Sequence, residues 1–227
     1  MAKISKRMNN ANALVEKHKV YSLEEAIKLT KETATTKFDS TVELSFNLNI
    51  DPRKADQQIR GAIVLPAGTG KSQKILVLTN TKVKEAQEAK ADFVGGEELI
   101  QKIQKENWFE FDIIVATPEM MAKLGAIGKI LGPKGLMPNP KTGTVTVDVT
   151  KAIDEIKKGK IEYRADKEGN IHTIIGKASF TPEQLTQNYE AMKAEIRRVK
   201  PQTVKGDYII NISLSTTMGP GIKVETN

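Results

Sequence analysis

The chain has 227 residues, 39% of them hydrophobic and 28% charged, enough for one large domain or two small ones with a real core in each. It holds no cysteine, which excludes disulfides, thiolate catalysis and Cys-ligated metals, and its two histidines, His18 and His172, are too far apart for ordinary metal-ligand spacing. The net charge of +7 favours an anionic partner, with RNA, DNA and a membrane surface all eligible.

Residues 5–19 read as a polar helix. Ser22 with Glu25 forms a capping-box pattern ahead of a second helix, whose stripe is Leu23, Ala26, Ile27 and Thr30. At Phe38 the period changes to two. Val42, Leu44, Phe46, Leu48 and Ile50 alternate with polar residues, which predicts a half-buried antiparallel strand ended by Asp51-Pro52. A short helical or turn segment around 55–61 and an apolar run at Ala62–Leu65 follow.

After Lys71 the texture becomes strand, helix, strand, helix. KILVLT, DFVGG and FDIIVAT are the expected strands, and VKEAQEAKA, EELIQKIQKE and PEMMAKLGAIG the expected helices. Continuous apolar strands alternating with helices predict a parallel α/β sheet. GKILGPKGLMPNPKTG interrupts that rhythm with Pro133, Pro138 and Pro140 and is expected to be a long structured loop. TVTVDV then reads as a strand and Thr150–Lys158 as a helix. KIEYRAD and NIHTIIG read as a hairpin around Lys167–Asn170. Ser179–Val199 reads as a helix, YIINISLSTT as a long strand and IKVE as a last short one.

The fold class expected is therefore mixed, α/β and α+β. Residues 1–67 and 160–227 together form a discontinuous α+β domain, and residues 68–159 form an inserted parallel α/β domain. Separate N- and C-terminal domains are the alternative, each with a thin core. The crossings fall near Pro66, Gly68 and Gly70, and near Lys158 and Gly159. These five residues are the candidate hinge.

Gly70-Lys71-Ser72 matches the tail of a phosphate-binding loop, but the first glycine of that motif is replaced by Leu65 and a strand, not a helix, follows. The stretch reads as a connector. A nucleotide-dependent enzyme using Lys71 and Ser72 is the rival reading. A protein of the membrane surface is a third, though no strongly amphipathic basic helix supports it. The longest apolar runs, Ile75–Leu78 and Ile113–Ala116, fall far short of the ~20 residues of a membrane helix. The basic start MAKISKRMNN has no apolar segment behind it, so no secretory signal is expected. His172 has no nucleophile signature near it. Acidic pairs such as Glu97-Glu98 suit helix starts, so no catalytic residue is expected.

Nucleic acid remains. The two flanks carry most of the positive surplus, with clusters at Lys3-Lys6-Arg7, Arg53-Lys54 and Arg197-Arg198-Lys200. STTMGPG, Ser215 to Gly221, offers hydroxyls, glycine amides and a thioether, a mixture suited to RNA sugar and backbone.

KFDSTVELSFNLNIDPRKADQQIRG, LPAGTGK, KADFVGGEELIQKI, FDIIVATPEMM, ILGPKGLMPNPKTGTV and STTMGPGIKV, in this order over almost the whole chain, resemble the bacterial form of the uL1 family of large-subunit ribosomal proteins. GPKGLMPNPK and TTMGP are the most specific markers. The resemblance implies a split domain with a Rossmann-like domain inserted, and no enzymatic activity, cofactor or metal. It implies binding to large-subunit ribosomal RNA at the mobile lateral stalk beside the exit site, release of deacylated tRNA there, and repression of translation of its own operon mRNA. It further implies a cytoplasmic, ribosome-bound protein, monomeric when free and without a membrane partner. Its RNA-binding residues correspond here to Lys37, Phe38, Thr41 and Glu43, and to Thr217, Met218 and Gly219. Phe38 is either a packing surface for RNA or a core residue. Arg53, Arg164 and His172 are secondary candidates. The family carries a small or branched residue where this chain has Gly221.

Overall fold

The computed structural model describes residues 5–226. The chain divides into two compact units, Met1–Gly70 with Ile161–Asn227, and Lys71–Lys160. Lys3, the first residue of the expected N-terminal basic cluster, lies outside the described residues.

The first unit is built on a four-stranded antiparallel sheet in the order β7-β1-β8-β9, with β1 Thr41–Leu48, β7 Asn170–Lys177, β8 Ile209–Thr216 and β9 Ile222–Val224. Strict alternation in β1 buries Val42, Leu44, Phe46 and Leu48 against two helices, α2 Leu23–Glu32 and α8 Pro182–Arg198. Their apolar stripes include Ala26, Ile27, Leu185, Tyr189, Met192 and Ile196, all buried. The opposite face of the sheet keeps the polar alternates, among them Glu43, Ser45 and Asn47 on β1 and Ser213 and Ser215 on β8. β2 Arg60–Val64 and β6 Lys160–Arg164 form a separate two-stranded sheet.

The second unit holds a parallel sheet in the order β4-β3-β5, with β3 Ile75–Leu78, β4 Phe93–Gly95 and β5 Ile113–Ala116. Period-two alternation sends Leu76, Leu78, Ile114 and Ala116 to one side, against α4 Glu97–Glu106 and α5 Pro118–Ala126. It sends Ile75, Val77 and Val115 to the other, against α3 Val83–Glu88 and α7 Val149–Lys157. Helices on both faces leave no polar side, which is why these strands read as unbroken apolar runs.

Three expectations need correction. The first helix, α1 Lys6–Ala13, ends well before residue 19, and the chain then turns with His18 in the left-handed region at φ 69°. KIEYRAD and NIHTIIG do not form a hairpin. β6 pairs with β2 and β7 with β1, and the two segments meet at the bridge Ala165–Ile171 and through hydrogen bonds between Asp166 and Asn170. The Asp166 carboxylate takes the amide protons of Glu168 and Asn170 and turns the chain out of one sheet and into the other. TVTVDV is no strand either. It contributes one bridge, Val145 to Ala116, before Asp148 starts α7. The long proline loop opens with a single helical turn, α6 Gly128–Leu131, and closes with a 3-10 turn at Pro140–Thr142.

Ser22 caps α2 by accepting from the Glu25 amide, but the reciprocal half of the capping box appears only at α8, between Thr181 and Gln184. No described helix is long and apolar enough to cross a membrane.

Candidate nucleic-acid interface

The start of β1 and the end of β8 are neighbours because Val42 lies opposite Thr216 and Glu43 opposite Ser215. The chain leaving β8 is therefore delivered directly onto Thr41. There two threonines clasp each other. The Thr41 amide donates to Thr217 Oγ1 at 3.0 Å, and the Thr217 amide donates to the Thr41 carbonyl at 3.1 Å. From the third strand, Lys177 Nζ donates to Thr41 Oγ1 at 2.9 Å. With that oxygen accepting, the Thr41 hydroxyl keeps its own proton to give.

The loop beyond Thr217 is tightly turned. The Gly219 amide donates to the Thr216 carbonyl at 2.9 Å, and a Cβ at Gly219 would overlap Thr216 Oγ1. Glycine is demanded here by space rather than by a left-handed backbone. Met218 is left 55% exposed at the tip. A Cβ at Gly221 meets nothing, so the loop tolerates a larger residue there.

The segment before β1 is equally fixed. Thr36 Oγ1 donates to the Phe38 carbonyl at 2.9 Å, and Asp39 accepts from the Ser179 amide and hydroxyl at 3.1 and 2.8 Å. This turn holds Lys37 outward and leaves Phe38 54% exposed, so Phe38 is not a core residue. Lys37, Phe38, Thr41, Glu43, Thr217, Met218 and Gly219 thus lie at one end of the sheet, around its open face. Together they offer a cation, a carboxylate, hydroxyls and two exposed apolar side chains.

Of the secondary candidates, His172 shares the open face of the sheet, two positions along from Glu43, while Arg53 and Arg164 lie outside this sheet. His172 shares a 2.9 Å hydrogen bond with Ser45 midway along β1, and its Nε2 is 3.8 Å from Asp166 Oδ2. Arg53 follows the far end of β1, and Arg164 ends β6, next to Ala165, whose amide donates to the Ile59 carbonyl. At about 3.3 Å per residue, the length of β1 puts roughly 20 Å between this end and the Thr41–Thr217 clasp. Burial pushes the Asp166 carboxyl up, but the Asn170 and Glu168 hydrogen bonds outweigh it and hold the group below the usual carboxylate range.

Lys177 and Asp39 are parts of the site that reading the sequence missed. Lys177 reaches Thr41 only through the long-range β1–β7 register, which no local pattern announces.

Lys71 and Ser72 do not open a helix. Lys71 Nζ donates to Asp112 Oδ1 at 2.7 Å, and Asp112 Oδ2 accepts from the Lys74 amide at 3.0 Å, bracing the entry to β3 and β5. The Lys71 hydrogen bond, followed by the Lys74 amide, holds the Asp112 carboxyl below its ordinary value. Lys71→Ala should therefore raise the Asp112 pKa in a carbon-detected NMR titration. Asp112's stabilising contribution is present above its unfolded pKa and fades as pH falls through the lower folded value. The same variant should behave like the parent toward ATP with magnesium in calorimetry, and saturable binding by the parent that the substitution abolishes would restore the nucleotide reading.

The hinge candidates are each held within their own unit. Gly68 and Gly70 adopt φ 72° and 71°, and Gly159 adopts φ 95° where α7 ends. The Gly68 amide donates to Leu65, and buried Asn188 clamps Ala67 and Gly68. Pro66 is exposed, and Lys158 closes α7 by donating to Asp154.

A family model described as the ribosomal protein L1p/L10e family matches residues 30–220. The chain belongs to this family. It is 84% identical over 227 residues to a protein named large ribosomal subunit protein uL1 from Mesoplasma florum, covering all of both chains. A protein of that name from Mycoplasma capricolum is 79% identical over 225 residues, covering 99% of this chain and all of the relative. One from Streptococcus thermophilus is 58% identical over 228 residues, covering all of this chain and 99% of the relative. These names denote a ribosomal protein of the uL1 family rather than an enzyme. The match takes in both Thr41 and Thr217.

Proposed function

We propose that this protein binds large-subunit ribosomal RNA at the mobile lateral stalk beside the tRNA exit site, and that its first unit supplies the grip. The observation that carries the reading is the Thr41–Thr217 clasp, which fixes hydroxyls between two exposed apolar side chains and beside Lys37. Lys37 meets phosphate. Thr41 and Thr217 meet sugar or backbone oxygens, Glu43 accepts from a 2′-hydroxyl, and Phe38 and Met218 pack on a base or sugar. Such contacts read RNA by shape and by its 2′-hydroxyls, and a preformed surface loses little freedom on binding.

The roles at the exit site follow from this location. We infer that the protein assists release of deacylated tRNA and that the same surface accepts a messenger RNA resembling the ribosomal site, repressing its own operon. The protein acts in the cytoplasm, bound to the ribosome and monomeric when free of it. Arg53 and Arg164, away from the clasp, serve a second RNA contact, and His172 on the open face extends the first. The two connections near Gly70 and Gly159 are the hinge of this reading, with bending assigned to residues outside the Asn188 clamp.

Filter binding to a stalk-region transcript at fixed salt tests the grip. Thr217→Ala and Met218→Ala should each weaken it by ~1–3 kcal/mol if each removes a well-formed contact. Salt must be held constant because phosphate contacts make affinity fall steeply with ionic strength. Unchanged affinity in both variants would sink the assignment.

A further inference from the structure

The basic cluster at the N-terminus reads in sequence as part of the positive surplus of the flanks, but one of its members is bonded within the protein. Arg7, in the first turn of α1, donates from Nη2 to the Met218 carbonyl at 2.9 Å, across 211 residues of sequence. Its Nη1 is enclosed, with no hydrogen-bond partner among the described residues. The half-buried guanidinium is thus engaged by the loop through one nitrogen, with a second enclosed beside it. Ser5 caps α1 by accepting from the Met8 amide, and Ala11 buries the helix's inner side, so the base from which Arg7 reaches is itself fixed.

The loop after β8 is then held at three successive residues. Thr216 is bonded by the Gly219 amide, Thr217 by Thr41, and the Met218 carbonyl by Arg7. Only the third tie comes from outside the sheet. It grips the carbonyl of the peptide unit whose Gly219 amide donates to Thr216, so the two ties together fix the Met218–Gly219 peptide plane beside the exposed thioether. A planar guanidinium bonding a carbonyl through one nitrogen, with the other enclosed beside it, fixes an orientation that a flexible ammonium does not.

We propose that Arg7 is a positioning residue for RNA recognition: α1 is part of the RNA site, and Arg7 acts through Met218 rather than by touching phosphate. This rests on the assignment of the Thr217–Gly219 loop to RNA.

The test uses the full chain with Arg7→Ala, Arg7→Lys and Met218→Ala, titrated against a stalk-region transcript and an unrelated RNA over a range of salt. Both Arg7 variants should lose about tenfold in affinity for the stalk transcript. Binding to the unrelated RNA should hold, and the slope of log affinity against log salt should stay at the parent value. A phosphate contact behaves differently: its loss lowers the slope by about 0.7 on single-stranded RNA and weakens both RNAs alike, while lysine preserves it. That pattern, or full stalk affinity in both Arg7 variants alongside a weakened Met218→Ala, overturns the proposal alone. If Met218→Ala also binds like the parent, the loop assignment beneath it fails as well. Thermal unfolding of each variant shows whether a loss reflects a displaced loop or an unfolded unit.

Discussion

Replacing Asn188 by alanine should lower the stability of the first unit by about 3 kcal/mol, the largest single-site effect expected outside the apolar core. Asn188 is completely buried on α8 and makes three hydrogen bonds to main chain. Its Nδ2 donates to the Ile175 carbonyl at 2.7 Å and to the Gly68 carbonyl at 2.9 Å, while its Oδ1 accepts from the Ala67 amide at 2.9 Å. Alanine leaves the buried Ile175 carbonyl and the half-buried Ala67 amide and Gly68 carbonyl without this partner, and each unmade buried bond costs roughly 1–3 kcal/mol before relaxation. Asn188→Asp keeps the acceptor but turns a carboxylate toward two carbonyls. Burial and that repulsion raise the folded pKa of the new carboxyl, so this variant should be least stable at high pH and recover as pH falls. Urea unfolding followed by circular dichroism reads the loss. The fluorescence of Trp108, in the second unit, should keep its midpoint, and the Ala67 amide should exchange faster with solvent. A loss below 0.5 kcal/mol, on the order of an ordinary surface substitution, would mean that the clamp is not formed.

Gly219→Ala should weaken RNA binding roughly tenfold to a hundredfold, or about 1.4–2.8 kcal/mol. The new methyl overlaps Thr216 Oγ1. Thr216 is 4% exposed, and its β-branched side chain has little rotamer freedom with which to yield. The loop must therefore move, taking Met218 with it. Removing the obstruction should restore binding. The double variant Thr216→Ala with Gly219→Ala should bind more tightly than Gly219→Ala alone, giving a coupling energy of about 1 kcal/mol in a double-mutant cycle. Additive effects would mean that the clash does not set the loop. Parental affinity in Gly219→Ala would remove the loop from the RNA surface.

What could be read from the sequence followed from local pattern. Alternation in Val42–Leu48 gave a half-buried strand, and continuous apolar runs at Ile75–Leu78 and Ile113–Ala116 gave buried parallel ones. Pairing partners were less legible. KIEYRAD and NIHTIIG look like a hairpin because they are close in sequence and share a turn-forming junction. The decision lay with β1 and β2, each of which offers a strand edge that no local residue announces. TVTVDV has the alternation of a strand but pairs at one bridge only. The motifs KFDSTVE and TTMG meet at one end of the sheet, the end proposed for RNA. The ties that hold them, Lys177 to Thr41, Ser179 to Asp39 and Arg7 to Met218, could not be found that way, because each spans more than a hundred positions of chain.

The strand order β7-β1-β8-β9 also bears on when the site comes into being. β1 occupies an inner place from the start, yet both of its neighbours lie beyond residue 169, and the nearer to the chain's end, β8, is itself an inner strand. The polypeptide is made from its N-terminus, and domains fold as units while it emerges. The parallel sheet and helices of Lys71–Lys160 are contiguous and can close while synthesis continues. The surface proposed for RNA cannot. Until β8 and the Met218 loop exist, Thr41 lacks its Thr217 partner, so on the proposed reading a product that stops before β8 should not bind the RNA. Synthesis of β8 would then gate the proposed binding, with long-range closure making this the slower unit to fold.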